Sequence, residues 1–208
     1  LLDRAIGLVS TLILARILVP EDFGIVAMGT SMLAAIEMLS AFSFDIALIQ
    51  NQAAERRHYD TAWTFSLLFA LVTALAMCLL AGPAALFYGE PRVTAMMIAL
   101  ALCAAIRGFD NIGVVAFQKD LELNKEFKLG MIKRLAGFVV TIAAAIVLRN
   151  YWALVCGMLT LRLVGLVMSY RMHPYRPRLS LQATQELFRF STWLLLNNVL
   201  ILLNNRGA

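Results

Sequence analysis

A series of long, uninterrupted apolar runs constrains this chain more than any other feature. The runs cover residues 5–19, 23–49, 61–87, 93–117, 131–148 and 151–170, and a seventh begins at 192. About 20 apolar residues in a helix cross the ~30 Å hydrocarbon core of a bilayer. The strands of a membrane β-barrel are shorter than these runs and alternate in polarity, so the runs are not barrel strands. A backbone in lipid must satisfy its own hydrogen bonds, which a helix does. The sequence therefore predicts an all-α polytopic membrane helix bundle, with six transmembrane helices of an N-terminal lobe and the start of a seventh.

Composition excludes several other classes. The hydrophobic residues make up 61% of the chain and the charged ones 15%, whereas soluble domains are nearer 45–50% and about 25%. A soluble single-core enzyme, a disordered chain and a secreted disulfide scaffold are therefore excluded. Cys78, Cys103 and Cys156 lie within apolar runs without a metal-binding spacing, so we expect core residues and no metal or other cofactor. No hydrolase, metalloprotease or phosphate-loop motif is present, so we do not expect an enzyme.

The basic residues are divided unequally between the two sides of the predicted bundle. One side holds only Arg16, Arg92 and Arg149. The loops of the other side hold Arg56, Arg57, Lys119, Lys125, Lys128, Lys133, Arg134, Arg171, Arg176, Arg178 and Arg189. Cytoplasmic loops carry the excess of Lys and Arg in membrane proteins. The asymmetry predicts a multi-pass protein with a cytoplasmic N-terminus, and it explains the net charge of +5 without a nucleic-acid partner.

The chain divides into three predicted parts. Residues 1–170 form the N-terminal six-helix transmembrane lobe. Residues 171–190 form a basic, proline-containing cytoplasmic linker, in which Ser180 is expected to cap a short interfacial helix over 181–190. Residues 191–208 begin a seventh transmembrane helix that is cut off, so we expect the chain to be a fragment.

Charged residues within or at the ends of the runs define the candidate site. They are Arg4, Arg16, Glu37, Arg107, Asp110 and Arg162. A charge at mid-bilayer costs on the order of 2.5–3.5 kcal/mol on insertion scales, so each needs a partner or a polar cavity. Arg107 and Asp110, three residues apart, are expected to pair on one helix face. Glu37, near the centre of the second run, and Arg162 are expected in a cavity, with an interhelical pair between them as the alternative.

Several short segments resemble one family in order along the chain. Residues 14–24 (LARILVPEDFG) resemble the turn between the first two spans of polysaccharide flippases, the O-antigen and capsule exporters of the multidrug/oligosaccharidyl-lipid/polysaccharide superfamily. Residues 47–50 (ALIQ), 117–121 (FQKDL), 151–155 (YWALV) and 176–180 (RPRLS) resemble later segments of that family. Lys119 stands where the family usually has Arg.

The resemblance implies a function and a set of partners. The family has twelve to fourteen spans in two lobes, of which this chain would be the first lobe and the linker. The implied activity is alternating-access movement of a polyprenyl-pyrophosphate-linked oligosaccharide across the bacterial cytoplasmic membrane, for polysaccharide or lipopolysaccharide biosynthesis. The expected partners are this substrate, membrane lipid and polysaccharide assembly proteins. Arg4, Arg16, Arg107 and Arg162 would contact phosphate or sugar, and Glu37 and Asp110 would couple the cycle to a proton or cation.

Three other readings are kept open by the sequence. The nearest is a drug or cation exporter of the same superfamily, which would favour acidic cavity residues. The second is a membrane-embedded polysaccharide polymerase or ligase. The third is a scaffold for polysaccharide assembly that transports nothing.

Overall fold

The computed structural model describes residues 2–39, 46, 48–49 and 54–186, and these residues form a bundle of α-helices. The helices are α1 (Leu2–Ile17), α2 (Pro20–Leu39), α3 (Arg56–Tyr88), α4 (Arg92–Gly108), α5 (Val115–Lys119), α6 (Leu123–Leu148) and α7 (Trp152–Met172). A 3₁₀ turn, Ile112–Val114, precedes α5. The predicted all-α class is confirmed, and no strand occurs within the described ranges.

The helix ends follow from local sequence. α2 begins at Pro20 with Glu21 and Asp22 in its first turn, because proline's fixed φ suits the first helical position and acidic residues suit the positive end of the helix dipole. α3 ends at Tyr88, and the capping residue Gly89 takes a left-handed conformation (φ 67°) that a side chain would disfavour.

Three helices, α3, α6 and α7, are long and apolar enough to cross a membrane. They contain the third, fifth and sixth predicted spans. α1 has a shorter apolar stretch, Ile6–Ile17, and α2 carries three acidic residues, Glu21, Asp22 and Glu37. The predicted total of six spans therefore stays a prediction.

The fourth predicted span is not one continuous helix, which corrects the sequence analysis. α4 ends at Gly108, and the helical segment Ile112–Lys119 that follows is bent from it by 68°. Asn111 accounts for the break, because its side-chain oxygen accepts a hydrogen bond from the backbone N–H of Gly113 (2.9 Å). Such a local bond competes with the helical pattern.

Two close helical hairpins, α3/α4 and α6/α7, make up most of the bundle. A Cβ added to Gly108 would lie 2.5 Å from Cβ of Ala70 on α3, and one added to Gly157 would overlap the hydroxyl of Thr141 on α6. Small residues at these crossings permit close approach of the backbones. α2 packs on α4, α4 on α7, and α1 on α6.

The two ends of the bundle differ. At one end, here called the turn end, the buried carboxylate of Asp22 accepts a hydrogen bond from the backbone N–H of Tyr151 (3.1 Å), which joins the α1–α2 and α6–α7 turns. The opposite end, here called the linker end, holds residues 54–60, 109–128 and 173–186. The linker end is the one that the charge asymmetry predicts to be cytoplasmic.

Candidate functional site

An ion pair between α2 and α4 lies at the centre of the candidate site. Nη1 of Arg107 is 2.9 Å from Oε1 of Glu37. With a rise of 1.5 Å per residue, Glu37 lies about 26 Å along α2 from Pro20 and Arg107 about 22 Å along α4 from Arg92. The pair therefore lies in the last turns of the described parts of α2 and α4, beside the middle of the longer α3, since Gly108 faces Ala70.

The pairing differs from both pairings suggested by the sequence. Arg107 is in the last turn of α4, and the helix ends before Asp110, so the two do not share one continuous helix face. Glu37 pairs with Arg107 and not with Arg162. The negative end of the α4 dipole favours a cation at Arg107, so this position has a structural reason as well as a functional one.

The ion pair is only partly covered by the described bundle. The side chain of Arg107 is 53% exposed and that of Glu37 is 37% exposed. Both groups lie on helices that the sequence predicts to span lipid, where an open charge is costly. Their open sides therefore suit a polar ligand, water or a further part of the protein.

Arg162 lies at mid-length of α7, about 15 Å from Trp152. Its side chain is half-buried, and it has no ion-pair partner among the described residues. Because α4 packs against both α2 and α7, Glu37, Arg107 and Arg162 lie on three neighbouring helices.

The other predicted site residues lie elsewhere. Arg16 is exposed in the last turn of α1, towards the turn end. Asp110 lies in the bend after α4, where its backbone carbonyl accepts a hydrogen bond from Nε1 of Trp63 (3.1 Å). Arg4 is part of α1, but its side chain lies outside the described residues.

Asn111 is a key residue that the sequence analysis missed. Its side chain is fully buried, and its Nδ2 donates to the carbonyl oxygens of Tyr175 (2.8 Å) and His173 (3.4 Å). Its backbone N–H donates to Oγ of Ser169 (3.0 Å). Asn111 therefore joins the break after α4 to the end of α7 and to the linker. In the sequence, the two polar residues 110–111 between Gly108 and Gly113 are the feature that indicates a break in the helix.

Asp60 on α3 is the main attachment point of the linker. One carboxylate oxygen accepts hydrogen bonds from Oη of Tyr175 (2.7 Å) and from the backbone N–H of Arg178 (2.8 Å). Burial, followed by the hydrogen bond to Asp60, raises the pKa of Tyr175. Tyr175 therefore stays a neutral donor, and the linker is fastened to the first turns of α3.

Two threonines extend this attachment along α3. Oγ1 of Thr64 accepts from the backbone N–H of Ser180 (3.0 Å), and Oγ1 of Thr61 accepts from that of Ala183 (3.2 Å). Ala183 is buried in an apolar cluster with Leu48, Ala62, Phe65 and Ile112. The described part of the linker therefore packs on the protein.

His58 forms the last clamp on the linker. Its Nδ1 accepts from the backbone N–H of Glu55 (3.0 Å), and its Nε2 is 2.7 Å from Oε2 of Glu186. This pattern assigns the proton to Nε2, which donates to the carboxylate. The hydrogen bond to His58, with the charge of Arg57, lowers the pKa of Glu186.

The predicted interfacial helix is only partly covered by the structure. Residues 173–181 are not helical, the chain turns at 182–183, and a helical turn begins at 184. Oγ of Ser180 accepts from the backbone N–H of Gln182 (3.3 Å), as a capping residue would. Residues 187–190 lie outside the described residues. Within the described ranges, no three His, Cys, Asp or Glu side chains are grouped to hold a metal ion.

Comparison with known proteins identifies the family. The chain is 28% identical over 181 residues to the succinoglycan biosynthesis transport protein ExoT of Rhizobium meliloti (strain 1021), covering 86% of this chain and 37% of that protein. It is 27% identical over 210 residues to the lipopolysaccharide biosynthesis protein WzxC of Escherichia coli (strain K12), covering 96% and 41%. An uncharacterized membrane protein in the cps region of Klebsiella pneumoniae is 22% identical over 205 residues, covering 96% and 42%.

The chain thus spans about two fifths of the length of these curated relatives. No solved structure matches it significantly. The sequence profile of the family described as "polysaccharide biosynthesis protein" matches residues 13–208, nearly the whole chain. With its all-α bundle of membrane-length helices, the chain belongs to this polysaccharide biosynthesis protein family.

Proposed function

We propose that this chain is the N-terminal lobe, with the interlobe linker, of a flippase in the bacterial inner membrane. The substrate would be a polyprenyl-pyrophosphate-linked oligosaccharide destined for surface polysaccharide or lipopolysaccharide. The family match supports this proposal, as do the names of two relatives, one a succinoglycan transport protein and the other a lipopolysaccharide biosynthesis protein. These names favour a polysaccharide substrate over a drug or an inorganic cation.

One observation carries the mechanism: the partly exposed ion pair between Glu37 and Arg107, with Arg162 nearby and without an acidic partner among the described residues. A pyrophosphate carries negative charge on several oxygens, and the planar guanidinium of arginine can donate two parallel hydrogen bonds to such oxygens. In the proposal, Arg162 and Arg107 contact the pyrophosphate, and Glu37 holds Arg107 when the substrate is absent.

Glu37 gives the proposed cycle a coupling step. Uptake of a proton by Glu37 from the loading side would release Arg107 to the pyrophosphate. Loss of that proton on the releasing side would restore the ion pair and displace the substrate, so the proposed cycle carries a proton in the same direction as the substrate. Arg107 is in the last turn of α4, which leads into the linker end, and this supports an exchange that is open to the predicted cytoplasmic side, where substrate would enter. Alternating access between two lobes, joined by the linker, would then move the sugar head across the membrane.

The first test uses substitutions in the full-length protein, expressed in a strain that lacks its own copy. We expect Arg162→Ala to abolish most surface polysaccharide while the amount of protein in the membrane is unchanged. The matched control is Arg149→Ala, which removes an exposed arginine from the turn end. Normal surface polysaccharide with Arg162→Ala at normal protein levels would remove Arg162 from the mechanism.

The second test separates binding from simple packing by exchanging the charges of the ion pair. Glu37→Arg combined with Arg107→Glu preserves an ion pair between α2 and α4. If the pair only holds the helices together, the double variant recovers both the protein level and the export that either single variant loses. We expect it to restore protein level but not export, because a glutamate at 107 repels the pyrophosphate.

The third test concerns coupling. Glu37→Gln alone should make export independent of the proton gradient. If this variant exports at an unchanged rate and with unchanged dependence on the gradient, the coupling proposal is wrong.

A further inference from the structure

A hollow at the linker end, here called the rim hollow, lies outside the proposed site. Its volume is about 580 Å³, and it is lined by Phe109, Leu166, Val167, Tyr170, Arg171 and Arg176. None of the six predicted site residues belongs to this lining. Four of its lining side chains are apolar or aromatic, and the other two carry guanidinium groups.

The arginines of the rim hollow are available to an anion. Arg171 is exposed and has no acidic partner among the described residues. Arg176 lies 5.5 Å from the centre of the Tyr170 ring, and its Nη1 donates to the backbone carbonyls of Tyr175 (2.8 Å) and His173 (3.0 Å). These contacts hold the guanidinium in place, and they leave its remaining N–H groups for a ligand.

Asp110, the residue after Phe109 of the lining, brings a negative charge that acts on Tyr170 against that of Arg176. One carboxylate beside two guanidiniums leaves the hollow positive. The lining also lacks the carboxylate and amide acceptors that sugar hydroxyls need, since its side chains offer mainly donors and apolar surface. The chemistry fits a phosphate attached to an acyl chain, without a sugar.

We propose that the rim hollow binds an anionic glycerophospholipid of the adjoining leaflet. The headgroup phosphate contacts Arg171 and Arg176, and an acyl chain lies along Leu166, Val167 and Phe109. Basic pockets at the cytoplasmic ends of membrane helices are typical sites for anionic headgroups. The last turns of α7 lie at the linker end, which the basic excess predicts to be cytoplasmic.

The test is a titration of the purified full-length protein in detergent with phosphatidylglycerol, and separately with phosphatidylcholine, with bound lipids counted by native mass spectrometry. We expect one phosphatidylglycerol molecule to be lost from the Arg171→Gln/Arg176→Gln double variant, with affinity at that site falling about tenfold or more. The control double variant, Lys128→Gln/Arg178→Gln, removes the same charge from exposed positions at the same end. It should retain the lipid.

Two further variants keep the result interpretable. Arg171→Gln alone changes a side chain with no described polar contact, so it should fold normally and still weaken the binding. Arg171→Lys restores the charge and should restore most of the binding. Equal retention of phosphatidylcholine, or equal lipid loss in the control double variant, would overturn the proposal. So would the finding that the adduct lost is a polyprenyl-pyrophosphate sugar, because the hollow would then belong to the transported substrate.

Discussion

Asn111 shows how one buried amide can fix the shape of a helical bundle. Its side chain caps the turn that follows α4 and also donates to two carbonyl groups of the linker. A buried donor or acceptor that loses its partner costs about 1–3 kcal/mol. The break in the fourth apolar run and the position of the linker therefore depend on the same residue.

Asn111→Ala should lower stability by about 1–3 kcal/mol, because the buried N–H of Gly113 loses its acceptor and the carbonyls of His173 and Tyr175 keep only their bonds from Arg176. The measurement is the midpoint of thermal unfolding of the full-length protein in detergent. Asn124→Ala, at an exposed position without described side-chain contacts, is the control. Equal midpoints for the two variants would show that the amide is dispensable.

Linker attachment should weaken in mild acid. Burial lowers the pKa of His173, and so do Lys125 and Arg176, whereas Glu122 and Asp120 oppose the shift. The undocked linker therefore takes up a proton more readily than the docked one, so docking loses free energy as pH falls below the unperturbed value of roughly 6.5. Hydrogen exchange of residues 173–181, corrected for its intrinsic pH dependence, should accelerate between pH 7.5 and 5.5.

His173→Asn removes this titration and is the matched variant. In this variant, hydrogen exchange of residues 173–181 should depend less on pH. The dependence that remains at lower pH comes from loss of the Glu186 contact. The hydrogen bond to His58 lowers the pKa of Glu186. The contact between them therefore still stabilises linker docking at a pH below the usual pKa of a glutamate. An unchanged acceleration in His173→Asn would assign the effect to another group.

At the scale of elements, the α6/α7 hairpin depends on the absence of a side chain at residue 157. Gly157→Val would place a branched side chain against the hydroxyl of Thr141 and should cost about 1–3 kcal/mol through overpacking. Gly130→Val, on α6 itself, is the control, since a Cβ there has no neighbour within 4 Å. The comparison is the thermal midpoint of the two variants. A midpoint for Gly157→Val as high as that of the control would mean that the hairpin relaxes without cost.

Sequence patterns predicted the elements better than their connections. The apolar runs gave α3, α6 and α7, since length and hydrophobicity alone determine a spanning helix. The break at Asn111 was missed because two polar residues do not interrupt a hydropathy pattern of this length. The Glu37–Arg107 pair could not be predicted because it joins residues 70 positions apart, and spacing along one helix says nothing about contacts between helices.

At the scale of the whole molecule, the direction of insertion stays a prediction from the distribution of Lys and Arg. Cysteine labelling tests it in the full-length protein after the native cysteines, Cys78, Cys103 and Cys156 among them, are replaced. Arg149→Cys at the turn end should react with a membrane-impermeant maleimide in spheroplasts. Arg178→Cys in the linker should react only after permeabilisation. The reverse pattern would invert the proposed topology and the side from which substrate enters.

The length of α3 has a mechanical consequence. Its 33 residues extend about 50 Å, whereas the hydrocarbon core is ~30 Å thick, so several turns project into water if the helix is not strongly tilted. The linker is bonded to the first three turns, through His58, Asp60 and Thr64. A force on the linker would therefore act first on the projecting part of α3 and, through Asn111, on the bend after α4.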